Sequence, residues 1–121
     1  MTEAKSATYL GNAGLLNDEF VTDGTIKYRC KVYHIGDKPA GTNVVYIFVA
    51  REGIRPLIIY VGKAEKLSDR LDGHEKMLEA KRLGASEVWV HTPNVLDSVN
   101  FLEVERRLIQ FYQPPLNAHH K

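Results

Sequence analysis

Two runs of apolar, β-branched and aromatic residues, "NVVYIFVA" and "PLIIYVG", stand on either side of the short polar link "REGIR". Near-continuous apolar runs of this length belong to buried strands, and a pair joined so briefly reads as an antiparallel hairpin. The hairpin forms the centre of a sheet, and the rest of the chain must be arranged around it. Ahead of it, "TIKYRCKVYHI" sets Ile26, Tyr28, Cys30 and Val32 against Lys27, Arg29, Lys31 and Tyr33, a period-2 pattern with one wet face that predicts a further strand. Pro39 and the two glycines of "GDKPAG" break the chain before the hairpin. Residues 1 to about 24 are rich in Gly, Asn, Asp, Thr and Ser with weak periodicity, and read as an arm against the body.

After Gly62, "KAEKLSDRLDGHEKMLEAKRLG" is helical in composition, with Leu67, Leu71, Met77, Leu78 and Leu83 as apolar positions. Gly73 weakens it midway, so one helix or two short ones both fit, and Gly84 suits the residue just past a helix end. "SEVWVHT" alternates at Val88 and Val90 as a third core strand. Asp97 or Ser98 would cap a final helix reaching about Tyr112, stopped by Pro114 and Pro115. The expected architecture is α+β: a small central antiparallel sheet of three core strands, a fourth N-terminal strand, and flanking helices.

At 121 residues the chain has the length of one domain able to bury a core without staples. We divide it into an N-terminal arm with its extra strand, 1–40, and a main domain, 41–121. No apolar run is long enough to cross a bilayer and no secretory leader is visible, so the expectation is a cytoplasmic protein without a membrane role. The net charge of +1 gives no whole-molecule field for nucleic acid, so any basic site must be local. The one cysteine, Cys30, cannot form an internal disulfide and reads as a structural strand residue. The terminal "AHHK" reads as a solvated tail, since two adjacent histidines do not close a metal site.

In the last helix Leu102, Ile109 and Tyr112 form one stripe, and Glu105 falls on it. A carboxylate on an apolar seam needs a compensating partner. An ion pair with Arg106, Arg107 or another arginine would satisfy it, as would a hard cation such as Mg²⁺. Arg70 and His74, four apart, would share a face of one helix, as solvated surface pairs often do. Tyr46 and Tyr60, taken alone, read as packing residues of the sheet.

Taken in order, these residues resemble the GIY-YIG nuclease superfamily. Val44-Val45-Tyr46 stands for the first motif and Tyr60-Val61-Gly62 for the second; "KAEKLSDRLDGH" follows with Lys63, Arg70 and His74, and "EVERRLIQFYQPPLN" closes the series with Glu105 and Asn117. Val44 replaces the first motif's glycine. The resemblance runs from about Asn43 to Asn117 and implies a metal-dependent endonuclease that hydrolyses phosphodiester bonds, in DNA by preference. It further implies one Mg²⁺ or Mn²⁺ held by Glu105, Arg70 on the non-bridging oxygens, Tyr46 as general base or water-orienting group, Tyr60 orienting water or phosphate beside it, and His74 assisting proton transfer. On the substrate side it implies Lys63 at the phosphate, Gly62 turning the backbone at the strand end, and Asn117 fixing the terminal segment. A binding module of the same fold that holds nucleic acid without cutting it is the main alternative, and an interaction domain with only surface ion pairs is another. No attached reader domain is evident, which leaves a second copy of the chain or a separate partner to supply targeting.

Overall fold

The computed structural model describes residues 15–94 and 100–117. Among these residues the chain forms five strands and three helices: β1 (Leu15–Thr22), β2 (Lys27–His34), β3 (Thr42–Glu52), β4 (Arg55–Lys66), α1 (Leu67–Leu71), α2 (Met77–Arg82), β5 (Ala85–His91) and α3 (Phe101–Tyr112). The strands make one antiparallel sheet in the order β1-β2-β5-β3-β4. The chain is therefore an α+β protein. Its expected central hairpin is β3–β4, and β5 is the third core strand beside β3.

Helices cover the sheet from both sides, which is why β3 reads as continuously apolar: Val44 to Ala50 are all buried. On one face Tyr46, Phe48, Val88 and Val90 pack with Leu67 and Leu71 of α1 and Ala80 of α2. On the other, Val45, Ile47, Val61 and Trp89 pack with Val104 and Leu108 of α3. Each fully buried Val or Leu contributes about 1.5–3 kcal/mol relative to exposure. The two faces thus form two apolar layers separated by the sheet.

Four expectations change. Residues 15 to 22 of the supposed arm are strand β1, paired along β2 from Leu15↔Tyr33 to Thr22↔Lys27; Asn17, Asp18 and Glu19 are poor strand formers and masked it. The helix expected directly after Gly62 starts later, because β4 runs on to Lys66. It is also split: α1 ends at Leu71, and Gly73, at φ +65°, reverses the chain before α2. Arg70 and His74 therefore do not share one helical face; Arg70 is on α1 and His74 in the turn behind it. Finally, the apolar stripe of α3 is Val104 and Leu108, with Phe101, Ile109 and Tyr112 half-buried, whereas Leu102 is half exposed. Glu105 sits at the margin of the packed face.

Asp97 and Ser98 lie outside the described residues, as does the terminal "AHHK". The cap of α3 is Asn100, whose side chain accepts the Glu103 N–H at 3.0 Å. The helix ends at Tyr112 as expected, with Gln113 in the left-handed region. Gly84 follows α2 with φ +97°, as its composition predicts. Cys30 is buried in the sheet, and burial pushes its thiol up to about 12, a structural role.

Candidate active site

The site begins with a glycine. Tyr46 on β3 lies opposite Gly62 on β4, and a Cβ at Gly62 would stand 2.5 Å from the Tyr46 phenol oxygen and its ring carbon Cζ. The absent side chain makes the space into which the phenol lies. Gly62 has no left-handed φ and sits inside β4, so it does not turn the backbone at a strand end. Its use is close approach.

Tyr60, opposite Phe48 and two residues before Gly62, lies on the same face by alternation, and a bulge follows on its Ile59 side. The register of β3 and β4 slips between Phe48↔Tyr60 and Val49↔Ile58, leaving Ile59 as an extra residue. Ile59 and Tyr60 consequently both pack with the Tyr46 layer, which strict alternation would forbid. The ring centroids of Tyr60 and Tyr46 are 6.1 Å apart.

Between these rings sits His74, only 6% exposed. Its ring contacts Phe48 at 5.1 Å, Tyr60 at 5.4 Å and Tyr46 at 5.6 Å between centroids, all near edge-on. The Lys76 backbone N–H donates to His74 Nδ1 at 2.9 Å, so the neutral imidazole carries its proton on Nε2. That atom is 2.7 Å from the Tyr46 hydroxyl. His74 therefore donates to the Tyr46 oxygen, and the Tyr46 proton is free to point elsewhere. Burial first, then the Arg70 charge, hold the imidazole down at about 4, so it is neutral at physiological pH.

Burial raises both phenols above their ordinary range. For Tyr46, fully buried, the Tyr60 oxygen adds to the rise and Arg70 opposes it. For Tyr60, 9% exposed, Arg70 and the Tyr46 hydroxyl acting as donor both oppose the rise, while Glu75 and Glu105 add to it.

Arg70 closes the cluster. Its Nη1 and Nη2 donate to Glu75 Oε1 and Oε2 at 3.1 and 3.0 Å, a two-pronged pair that holds the Glu75 carboxyl down at about 2. Glu105 approaches from α3, on the opposite layer, and its effect on Tyr60 places it within electrostatic reach of that phenol. Lys63 alternates with Gly62 on β4, so it lies on the α3 side of the sheet, in line with Val61. A cleft of about 520 Å³ beside it is lined by Lys63, Lys66, Arg70 and Phe101 among others, so Arg70 and Lys63 border one space around the β4 edge.

Asn117 does not reach that space. It is buried, its Oδ1 accepts the Val61 N–H at 2.9 Å, and its Nδ2 donates to the Val61 carbonyl at 3.0 Å. The side-chain amide completes the β4 edge as a neighbouring strand would and pins the terminal segment to it. Leu116 N–H adds a bond to the Ile59 carbonyl at 3.2 Å.

The site therefore gathers Tyr46, Tyr60, His74 and Arg70 on one sheet face, with Lys63 lining the same cleft as Arg70 and Glu105 on α3, against the opposite face. Two participants carry no mark in the residue order: Glu75, which grips Arg70, and Phe48, which walls His74. Phe48 could have been found from its place two residues after Tyr46, on the same strand face.

Among the described residues no group of three or more His, Cys, Asp or Glu could together hold a metal ion, and no helix is long and apolar enough to cross a membrane. No protein-family model matches the chain, and neither a curated protein nor a solved structure matches it. Fold and site define an α+β protein with a buried tyrosine–histidine cluster bordered by the half-buried Arg70.

Proposed function

We propose that this centre hydrolyses phosphodiester bonds in nucleic acid, DNA by preference, as a metal-dependent endonuclease of the GIY-YIG kind. The observation that carries the reading is the convergence of two phenols, a guanidinium and a neutral imidazole on one sheet face. Core packing alone gives no reason to bury a histidine whose only free proton is aimed at a phenol oxygen.

Hydrolysis needs water activated beside the phosphorus, charge on the phosphoryl oxygens offset, and the leaving oxygen stabilised. Arg70 suits the second task. Two of its five N–H donors are engaged by Glu75, so three remain for phosphate oxygens, and Glu75 fixes the plane in which they point. Lys63 adds a positive charge from across the strand edge.

The resemblance puts the base at Tyr46; because His74 Nε2–H donates to the Tyr46 oxygen, the Tyr46 proton is left for the Tyr60 oxygen, and we assign the base to Tyr60. As a phenolate whose oxygen accepts the Tyr46 O–H, Tyr60 takes the proton of the attacking water and becomes a neutral phenol, while His74 Nε2–H holds the Tyr46 oxygen. His74 is thus a donor that orients Tyr46, and not itself the base.

Glu105 is the carboxylate that would hold Mg²⁺ or Mn²⁺, an ion that accepts one protein carboxylate with water and phosphate oxygens completing its shell. Bound there, the ion would offset charge on the phosphate and on the leaving oxygen. With its own charge neutralised in this way, Glu105 ceases to oppose ionisation of Tyr60.

The test is nicking of supercoiled plasmid with Mg²⁺, with Mn²⁺ and with chelator, using wild type beside Glu105→Ala. We expect divalent-dependent nicking that disappears in a folded Glu105→Ala protein. Full activity in that variant contradicts the metal assignment. A chain that binds nucleic acid but never cuts it would be the non-catalytic module instead.

A further inference from the structure

The exposed row of the N-terminal hairpin takes no part in the reaction described above. Lys27, Arg29 and Lys31 all point outward from β2, opposite the buried Tyr28, Cys30 and Val32. Beside them on β1, Phe20 is 56% exposed, with the Lys27 ammonium 5.9 Å from its ring centroid. The pairing decides which face this is. Asp18 lies opposite Lys31, Lys31 opposite Val90, Val90 opposite Tyr46, and Tyr46 opposite Gly62. Directly opposed residues share a face, so Lys31 stands in one transverse row with the phenol of the candidate active site. Two strand spacings of ~4.8 Å separate them, about 10 Å.

We propose that the outward face of β1–β2, on the same side of the sheet as the tyrosine–histidine–arginine centre, is a platform for single-stranded nucleic acid. The inference rests on the nucleic-acid part of the function proposed above and names the form of its substrate. Lys27, Arg29 and Lys31 recur at every second residue along β2 and supply a line of positive charge for a phosphate backbone. Phe20 offers an aromatic face on an open sheet surface, which stacks an unpaired base and cannot stack a base already enclosed in a duplex. Between β1, β2 and the end of β5 lies a groove of about 530 Å³ lined by Asp18, Arg29, Lys31, Val90, His91 and Thr92.

One feature of the platform works against binding. Asp18 Oδ2 accepts from Arg29 Nε at 3.0 Å, so a phosphate must compete with Asp18 for that guanidinium. Removing the carboxylate charge should free Arg29 and strengthen binding, a gain that a purely structural ion pair would not give.

Fluorescence anisotropy in chelator, which prevents cutting, tests this with a labelled 12-mer as single-stranded DNA, as RNA and as duplex DNA. Wild type should bind the single strands more tightly than the duplex, and the tighter of the two single strands names the substrate. The combined Lys27→Gln, Arg29→Gln and Lys31→Gln protein should bind at least tenfold more weakly, with a salt slope lower by about two, at ~0.7 per phosphate contact. Phe20→Ala should lose about fivefold or more on single strands and nothing on duplex, and Asp18→Asn should bind more tightly than wild type. Wild-type affinity in the triple variant, or a Phe20→Ala loss equal on duplex and single strands, overturns the platform. If the triple variant binds normally while the wild type still nicks plasmid, the platform fails and the nuclease reading stands. If single strands bind through these residues but wild type cuts nothing, the platform stands and the nuclease reading fails.

Discussion

Gly62 and Tyr46 are coupled by space alone: the phenol occupies the volume that any Cβ at position 62 would need. Gly62→Ala should therefore destabilise the protein by about 1–3 kcal/mol, the usual cost of overpacking a filled core. In a Tyr46→Ala background the same substitution should cost close to nothing, and chemical denaturation of the four proteins of that cycle measures the difference. Equal costs in both backgrounds would show that Gly62 is needed for another reason. Tyr46, Tyr60, Arg70, His74 and Glu105 were legible in the sequence as an ordered set of reactive residue types. The directions of their hydrogen bonds were not, because the tautomer of His74 depends on a backbone N–H two residues on, and the pairing of Arg70 depends on a turn that brings Glu75 back beside it.

At the scale of elements, the edge strand β4 depends on the segment that follows α3. Asn117 satisfies both backbone groups of Val61, so Asn117→Ala leaves a buried N–H and a buried carbonyl without their partner. The expected cost is about 1–3 kcal/mol, with faster amide exchange at Val61 than at residues of the β3–β5 ladder. Uniform exchange across the sheet would contradict the pin. The strands of the central sheet were readable because continuous burial writes an unbroken apolar run. The strand β1 was not, since its outward Asp18 and half-buried Glu19 suppress the pattern that its register with β2 restores. Nor was the bulge at Ile59 readable, because a single inserted residue leaves an apolar run unchanged. The split between α1 and α2 was legible only as an alternative, and Gly73 decides it.

For the molecule as a whole, the buried imidazole predicts how stability follows acidity. His74 titrates near 6.5 when unfolded and at about 4 in the fold, so between those values the unfolded chain binds the extra proton. Stability is therefore full above pH 6.5 and falls as the pH drops toward 4, by roughly 3 kcal/mol at ~1.4 kcal/mol per pH unit. His74→Gln should flatten that window, as read from denaturation midpoints at a series of pH values. The Asp23 carboxyl, held down at about 2 by the Ile26 N–H and the Tyr28 hydroxyl, acts in a separate window: its contribution is present above 3.8 and is lost as the pH falls through 2. A midpoint that stays constant from pH 7 to 4 in the wild type would contradict the neutral, caged histidine.

The same cage makes the chemical claim, and single-turnover cleavage of labelled oligonucleotides tests it with wild type beside Tyr60→Phe and Tyr46→Phe. Removing the phenol that takes the proton should slow Mg²⁺-dependent cleavage by about 100-fold or more, the scale of general-base catalysis, and removing its donor should cost less. A folded Tyr60→Phe protein that cleaves at the wild-type rate, or a folded wild type that cleaves neither single strands nor duplex, would contradict the account.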